Sequence, residues 1–172
     1  MTLSSAISFA TMAHKGQVRK YTNEPYIVHP LEVVDIVKSV DHTEEMLIAA
    51  VLHDVVEDTP FTSDDIHDKF GPVVGKLVDE LTDISKPSDG NRAVRKAKDR
   101  DHLAKASKAA QTIKVADLIS NTTSIVEHDP KFAEVYLKEK ADLLDVLVLA
   151  DKKLLKKAIN QLPFCQEDTI LI

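Results

Sequence analysis

The stretch "MLIAAVLHDVVEDT", residues 46 to 59, is apolar on most sides when wound as a helix, yet it carries His53, Asp54, Glu57 and Asp58 within six positions. A helix that is apolar nearly all round has no face to offer water, so other elements must cover it. The stretch therefore predicts a central helix and places four ionisable groups where charge is costly. Burying an unpaired charge costs on the order of several kcal/mol, and a partner or a metal ion has to offset that.

The remaining signals describe the cover. The chain has 172 residues, with 44% apolar residues, 5% aromatics and four glycines, a composition that favours helices over sheets or disorder. Ser5 to His14 reads as a first helix ending near Gly16, a residue suited to the left-handed C-cap conformation. Pro30 stands where a second helix should open, and Thr43 can cap the central one. Thr62 and Asp65 have the spacing of a capping box, and Pro72 starts the next helix. "SKPSDGN" is a loop and a candidate lid. A polar helix follows from about Ala93 to Lys108, then "QTIKVADLISNTTSIVEH", and then one long helix or two. The expectation is an all-α, single-domain bundle of roughly seven to nine helices over residues 1–172.

A net charge of −6 argues against general nucleic-acid binding, which depends on neutralising phosphates with Lys and Arg. No apolar run is long enough to span a membrane, and the N-terminus lacks the pattern of a signal peptide. The lone Cys165 permits no internal disulfide and sits in a polar tail, which suits a reducing compartment. A cytoplasmic location is expected, and oligomeric state is left open.

At about 100° per residue, and with His53 as zero, Asp54 falls at about 100°, Glu57 at about 40° and Asp58 at about 140°. The four thus share one side of an uninterrupted helix. Imidazoles and carboxylates are ordinary ligands of divalent metals, while a charged stripe at the solvent edge is the plainer alternative. A metal site needs further ligands. His29, held extended before Pro30, and Asp117, in the apolar helix "IKVADLISN", are the candidates. Two imidazoles and two carboxylates suit Mn, Fe or Zn alike.

"AHKGQVRKYTNEPYIVHP", "LHDVVEDT" and "KVADLISN", in this order, resemble the HD-domain hydrolase half of the RelA/SpoT alarmone enzymes, and especially the small stand-alone alarmone hydrolases. The resemblance implies metal ligation by His29, His53, Asp54 and Asp117, usually of Mn²⁺. It implies a catalytic acidic pair, Glu57 and Asp58, that orients and deprotonates the attacking water. It also implies a small-molecule nucleotide substrate, ppGpp or pppGpp, hydrolysed to GDP or GTP and pyrophosphate, with Arg19, Lys20 and Asn121 at the nucleotide. Residues 86 to 108 carry eight Lys and Arg against three Asp, so part of this segment is a candidate phosphate binder.

Two departures from the family pattern stand out. Asn23 replaces a common glycine and can take its left-handed conformation. Thr123 stands where an arginine is frequent, which removes a fork of donors and leaves the choice of nucleotide open. The same chemistry on ppApp or on the 2′-phosphate of NADPH is the alternative, as is a regulatory module that binds a nucleotide without cleaving it. His14 reads as a packing or loop-bonding residue, and His42, His67, His102 and His128 read as exposed.

Overall fold

The structure is a computed structural model that describes residues 2–163, so Cys165 lies outside the described residues. The helices are α1 (Leu3–Ala13), α2 (Val28–Val37), α3 (Glu44–Leu52), α4 (Val55–Asp58), α5 (Ser63–Phe70), α6 (Pro72–Leu81), α7 (Arg92–Leu103), α8 (Lys108–His128), α9 (Pro130–Leu144) and α10 (Lys152–Ile159). Pro87–Asp89 adds one 3₁₀ turn. Counting α3 and the single turn α4 together as the central helix broken at His53 and Asp54, nine α-helices result among the described residues, and there is no strand. The all-α expectation holds.

The central helix is where the sequence places it. All seven residues from Met46 to Leu52 are buried, and α3 packs against α1, α2, α6 and α8. Helix α8 forms the second wall of the core, with Ile113, Val115, Ala116 and Ile119 all buried. Phe9 joins α1 to α5 by packing on Phe61 and Phe70. Among the described residues no helix is long and apolar enough to cross a membrane.

Several starts and stops follow local chemistry. Thr43 accepts the Met46 N–H, Thr62 and Asp65 form the capping box, and Pro72 opens α6. Gly16 and Asn23 adopt the left-handed region, with φ of 87° and 59°, and shape the loop between α1 and α2. Other boundaries differ from expectation. Thr2 rather than a later residue caps α1, so that helix begins at Leu3. Helix α2 begins two residues before Pro30, whose missing N–H is harmless in a first turn. The polar helix stops at Leu103, because Ser107 caps a new helix at Lys108. The C-terminal segment is two helices, parted by the turn before Asp151, which caps α10.

The main correction concerns the central helix. His53 Nδ1 bonds the Ala50 carbonyl at 2.8 Å, the acceptor that Asp54 N–H would use in a continuous helix. At Asp54 the backbone opens to φ −96°, ψ −4°, and α4 resumes for a single turn. A side chain inserted into the backbone ladder is a recognised cause of such breaks.

Candidate metal centre

His29 enters from the first turn of α2, His53 and Asp54 from the break after α3, and Asp117 from the middle of α8. One ligand atom each from His29, His53 and Asp54 lies within 4.8 Å of the others. Asp117 joins through the two imidazoles: its Oδ1 is 3.1 Å from His29 Nε2 and 3.8 Å from His53 Nε2. Asp54 Oδ2 is 3.1 Å from His53 Nε2 and 3.7 Å from His29 Nε2.

Hydrogen-bond polarity sets both rings. Ser120 donates to Glu32 Oε2 at 2.7 Å, so its oxygen accepts from His29 Nδ1 at 3.0 Å. The Ala50 carbonyl can only accept, so His53 Nδ1 also carries a proton. In neutral rings both Nε2 lone pairs then point at the two aspartates, and donor atoms crowded this way repel one another unless a positive charge lies between them. Among the described residues His53 Nε2 is buried with no hydrogen-bond partner. Burial opposes a charged His53, but the carboxylates of Asp54 and Asp117 outweigh it and hold the imidazole well above its usual range. The same burial would raise Asp54, yet His53 holds it below the ordinary carboxylate range. Positive charge belongs here, and two imidazole nitrogens with two carboxylates fit a divalent metal.

Each aspartate of the cluster has an outer partner. Tyr26 donates to Asp54 Oδ2 at 2.6 Å. Lys114 lies 2.9 Å from Asp117 Oδ2, and Asn121 donates to Asp117 Oδ1 at 2.6 Å. Such partners fix ligand orientation and basicity in metal sites. Lys114 precedes Asp117 by three residues on one helix, the spacing at which helical neighbours meet, so a signal for it existed in the sequence, whereas Tyr26 lies before α2 and reaches Asp54 across 28 residues without such a signal. Ser120 had none.

The break separates the acidic pair from the shared face that an unbroken helix would give it. Glu57 turns toward the end of α6, where its Oε1 accepts the Asp83 N–H at 2.7 Å. Desolvation of its carboxylate, with the adjacent Asp83 charge, pushes Glu57 up to about 7. Asp58 faces Tyr26 and His14, and desolvation followed by the Asp54 charge raises it.

The predicted nucleotide residues divide. Arg19 Nη1 reaches Asn121 Oδ1 at 3.5 Å and so stands beside the cluster. Lys20 points elsewhere, to Asp129 at 3.3 Å and to the Tyr21 ring. A cavity of about 330 Å³ between α7, α8 and α9 adjoins the cluster through Asp117 and Asn121, with Arg92, Lys96, Arg100 and Lys114 in its wall. Much of the positive charge in residues 86 to 108 is internally answered: Arg92 forks onto Glu139, Lys96 meets Asp83, and Lys98 meets Asp89. Two histidines expected to be exposed are half-buried on Asp79. His67 bonds its carboxylate at 2.8 Å and His102 its carbonyl at 3.1 Å. His14 is a loop-bonding residue, with Nδ1 2.8 Å from Gln17 Oε1.

The sequence matches the HD domain family over residues 6–142. The chain belongs to the HD domain family. This HD domain is 42% identical over 74 residues to the guanosine-3′,5′-bis(diphosphate) 3′-pyrophosphohydrolase of Haemophilus influenzae, a match covering 43% of this chain and 11% of that protein. It is 36% identical over 114 residues to a GTP pyrophosphokinase of Myxococcus xanthus, covering 66% of this chain and 15% of the relative. The chain thus spans a small fraction of these curated relatives. Among solved structures, a metazoan ortholog of SpoT that hydrolyzes ppGpp superposes with a TM-score of 0.82 and 30% identity over 92% of both chains.

Proposed function

We propose that this HD domain is a metal-dependent phosphohydrolase that removes the 3′-diphosphate of ppGpp and pppGpp, giving GDP or GTP and pyrophosphate. The observation that carries the reading is the convergence of His29, His53, Asp54 and Asp117 on one buried point, with Glu57 and Asp58 on the turn that follows directly. The metazoan SpoT ortholog that hydrolyzes ppGpp, matched over nearly its whole length, supports it. On this reading residues 1–172 form one HD-type unit acting in the cytoplasm on a small nucleotide.

His29, His53, Asp54 and Asp117 would hold the ion, for which we propose Mn²⁺. A divalent ion in such a site supplies Lewis acidity and lowers the pKa of water. The protein does the rest. Glu57, poised near neutral pH, takes a proton from the attacking water, and Asp58 orients that water from the same turn. The water oxygen joins the phosphorus next to the 3′ oxygen, the bond between that phosphorus and the 3′ oxygen breaks, and the nucleoside oxygen leaves and takes up a proton. Lys114 and Asn121 hold Asp117 in place throughout. Arg19 reaches the same region through Asn121 and is assigned to the nucleotide, and Lys20 is assigned there with a swing away from Asp129. Arg92, Lys96 and Arg100 give the adjoining cavity the charge for an anionic substrate.

Thr123 is exposed, and among the described residues its hydroxyl bonds only the Ile119 carbonyl, at 3.5 Å, so it offers no arginine-like fork to a guanine. That observation favours a second substrate reading, ppApp or NADPH with the same chemistry. Incubation of the purified chain and Mn²⁺ with ppGpp, ppApp and NADPH separates the readings, because the first two release pyrophosphate and the third orthophosphate. Turnover of ppGpp is expected. No turnover of any of the three would overturn the assignment.

A further inference from the structure

We propose that Gln17, oriented by His14, is a positioning residue that holds the turn bearing Glu57 and Asp58 from outside. The inference rests on the reading that this turn serves phosphoester hydrolysis. Helix α4 is four residues long, Val55–Asp58. One helical turn fixes several dihedrals for very few hydrogen bonds, so it does not hold its shape alone. Its last carbonyls are also orphans, because Thr59 leaves in extended conformation at φ −133°, ψ 168°. Two acidic side chains that must hold position thus sit on the least self-supporting helix of the fold.

Gln17 supplies what the turn lacks. Its Nε2 donates to the Asp58 carbonyl at 2.7 Å, a contact across 41 residues of sequence. Its Oε1 can only accept, so His14 Nδ1, 2.8 Å away, must carry a proton. This donor pins the amide so that its NH₂ end faces Asp58. His14 is 3% exposed, and its ring packs on Tyr26 with centroids 4.6 Å apart. Its Nε2 is buried without a hydrogen-bond partner among the described residues, the cost of holding the ring in this one orientation. The backbone of Gln17 is fixed as well: its N–H bonds the His14 carbonyl at 2.9 Å, and its carbonyl accepts the Tyr26 N–H at 3.0 Å. All four polar groups of Gln17 are engaged, so a displacement of the turn meets the whole loop from His14 to Tyr26.

Neither Gln17 nor His14 is placed at the ion or the substrate, and their effect passes through the turn. Displacing a catalytic group by about 1 Å can cost about 100-fold in rate. The test uses the full chain with Gln17→Leu, which removes both ends of the strut, and Gln17→Glu, which keeps the acceptor for His14 but sets a carboxylate against the Asp58 carbonyl. Hydrogen exchange of the amides of residues 55 to 59, Mn²⁺ affinity by calorimetry, and kcat and KM for ppGpp are read in parallel. The expected result is faster exchange confined to that segment in both variants. With it comes a fall in kcat of about tenfold to a hundredfold, with KM and Mn²⁺ affinity within about twofold of wild type. His14→Phe, which keeps the stack on Tyr26 and deletes the donor, should shift in the same direction, and adding it to Gln17→Leu should cost little more. Unchanged exchange in the turn overturns the proposal, as does a kcat loss that merely follows global unfolding. If wild-type protein cleaves no nucleotide while the variants still loosen the turn, the hydrolase reading fails and the strut stands.

Discussion

The phenolic hydroxyl of Tyr26 donates to Asp54 Oδ2 at 2.6 Å, the same oxygen that lies 3.1 Å from His53 Nε2. Burial and the Asp54 charge push the Tyr26 pKa strongly upward, so it remains a donor at every working pH. Tyr26→Phe deletes this one bond and keeps the ring. Outer partners of metal ligands are worth roughly 10- to 100-fold in affinity or activity. Calorimetric titration of the variant with Mn²⁺ should show weaker binding by about tenfold, and an affinity equal to wild type would remove Tyr26 from the site's support.

If Glu57 is the base, as proposed, it sets the pH dependence. As the acceptor of a water proton it must be ionised, so the rate should rise with pH through about 7. Asp83→Asn removes the neighbouring charge and should move that limb to lower pH, whereas Glu57→Gln should lose about 10²- to 10⁴-fold in rate. Stability carries the opposite sign. A carboxyl with a raised folded pKa contributes stability that is fully present below its unfolded value and is lost as pH rises through about 7. A pH–rate profile of the Asp83 variant superimposable on wild type would deny Glu57 this role.

Removing the ion should destabilise the fold. Among the described residues His53 Nε2 is buried without a hydrogen-bond partner, with carboxylate oxygens of Asp54 and Asp117 3.1 and 3.8 Å away, so a ligand of the native state has much to offset there. Ion at about 100 times its dissociation constant stabilises by about 2.7 kcal/mol. Thermal melts in a chelator, then with Mn²⁺ restored, should differ by several degrees, and His29→Ala should abolish the difference. Identical melts would count against metal binding.

Lys140 is buried, and among the described residues its ammonium donates to two neutral partners, Thr122 Oγ1 at 2.8 Å and Gln161 Oε1 at 2.7 Å. Burial pulls it down to about 8. A lysine depressed in the folded state contributes stability that is fully present above its unfolded value and is lost as pH falls through about 8. Between pH 7 and 10.5, wild type should therefore gain stability relative to Lys140→Met. Denaturant melts across that range check the slope, and parallel curves would contradict it.

A methyl group at position 75 would overlap the His67 imidazole, which Asp79 holds at 2.8 Å. Gly75→Ala should therefore destabilise the α5–α6 hairpin by about 1–3 kcal/mol, the usual cost of overpacking. Thermal melts should show the loss, and His67→Ala in the same chain should recover part of it. A melt unchanged by Gly75→Ala would show that the ring is free to move.

Much of this was legible in the chain order. Thr43, Thr62 and Pro72 announce their helices because a cap acts on backbone within three residues of itself. The apolar run from Met46 to Leu52 announces its burial for an equally local reason, since a helix without a polar face needs cover on every side. The triplet of motifs brought His29, His53, Asp54 and Asp117 forward as a set, and the fold brings them together. What stayed hidden depends on residues far apart in sequence. The break at His53 and Asp54 sent Glu57 to Asp83 and Asp58 toward Tyr26, which no helical angle could foresee. Lys20 met Asp129, while Arg19 met Asn121 from 102 residues away.

Hydrophobic period, caps and ligand types are properties of neighbouring residues, so the presence of most helices and the kinds of groups at the centre are readable along the chain. The partner of each polar group depends on which surfaces meet once the helices pack, and it took the packed fold to bring Gln17 to Asp58 and Ser120 to His29. Hydrogen bonds act over about 3 Å, and chain order carries no information at that range between distant segments.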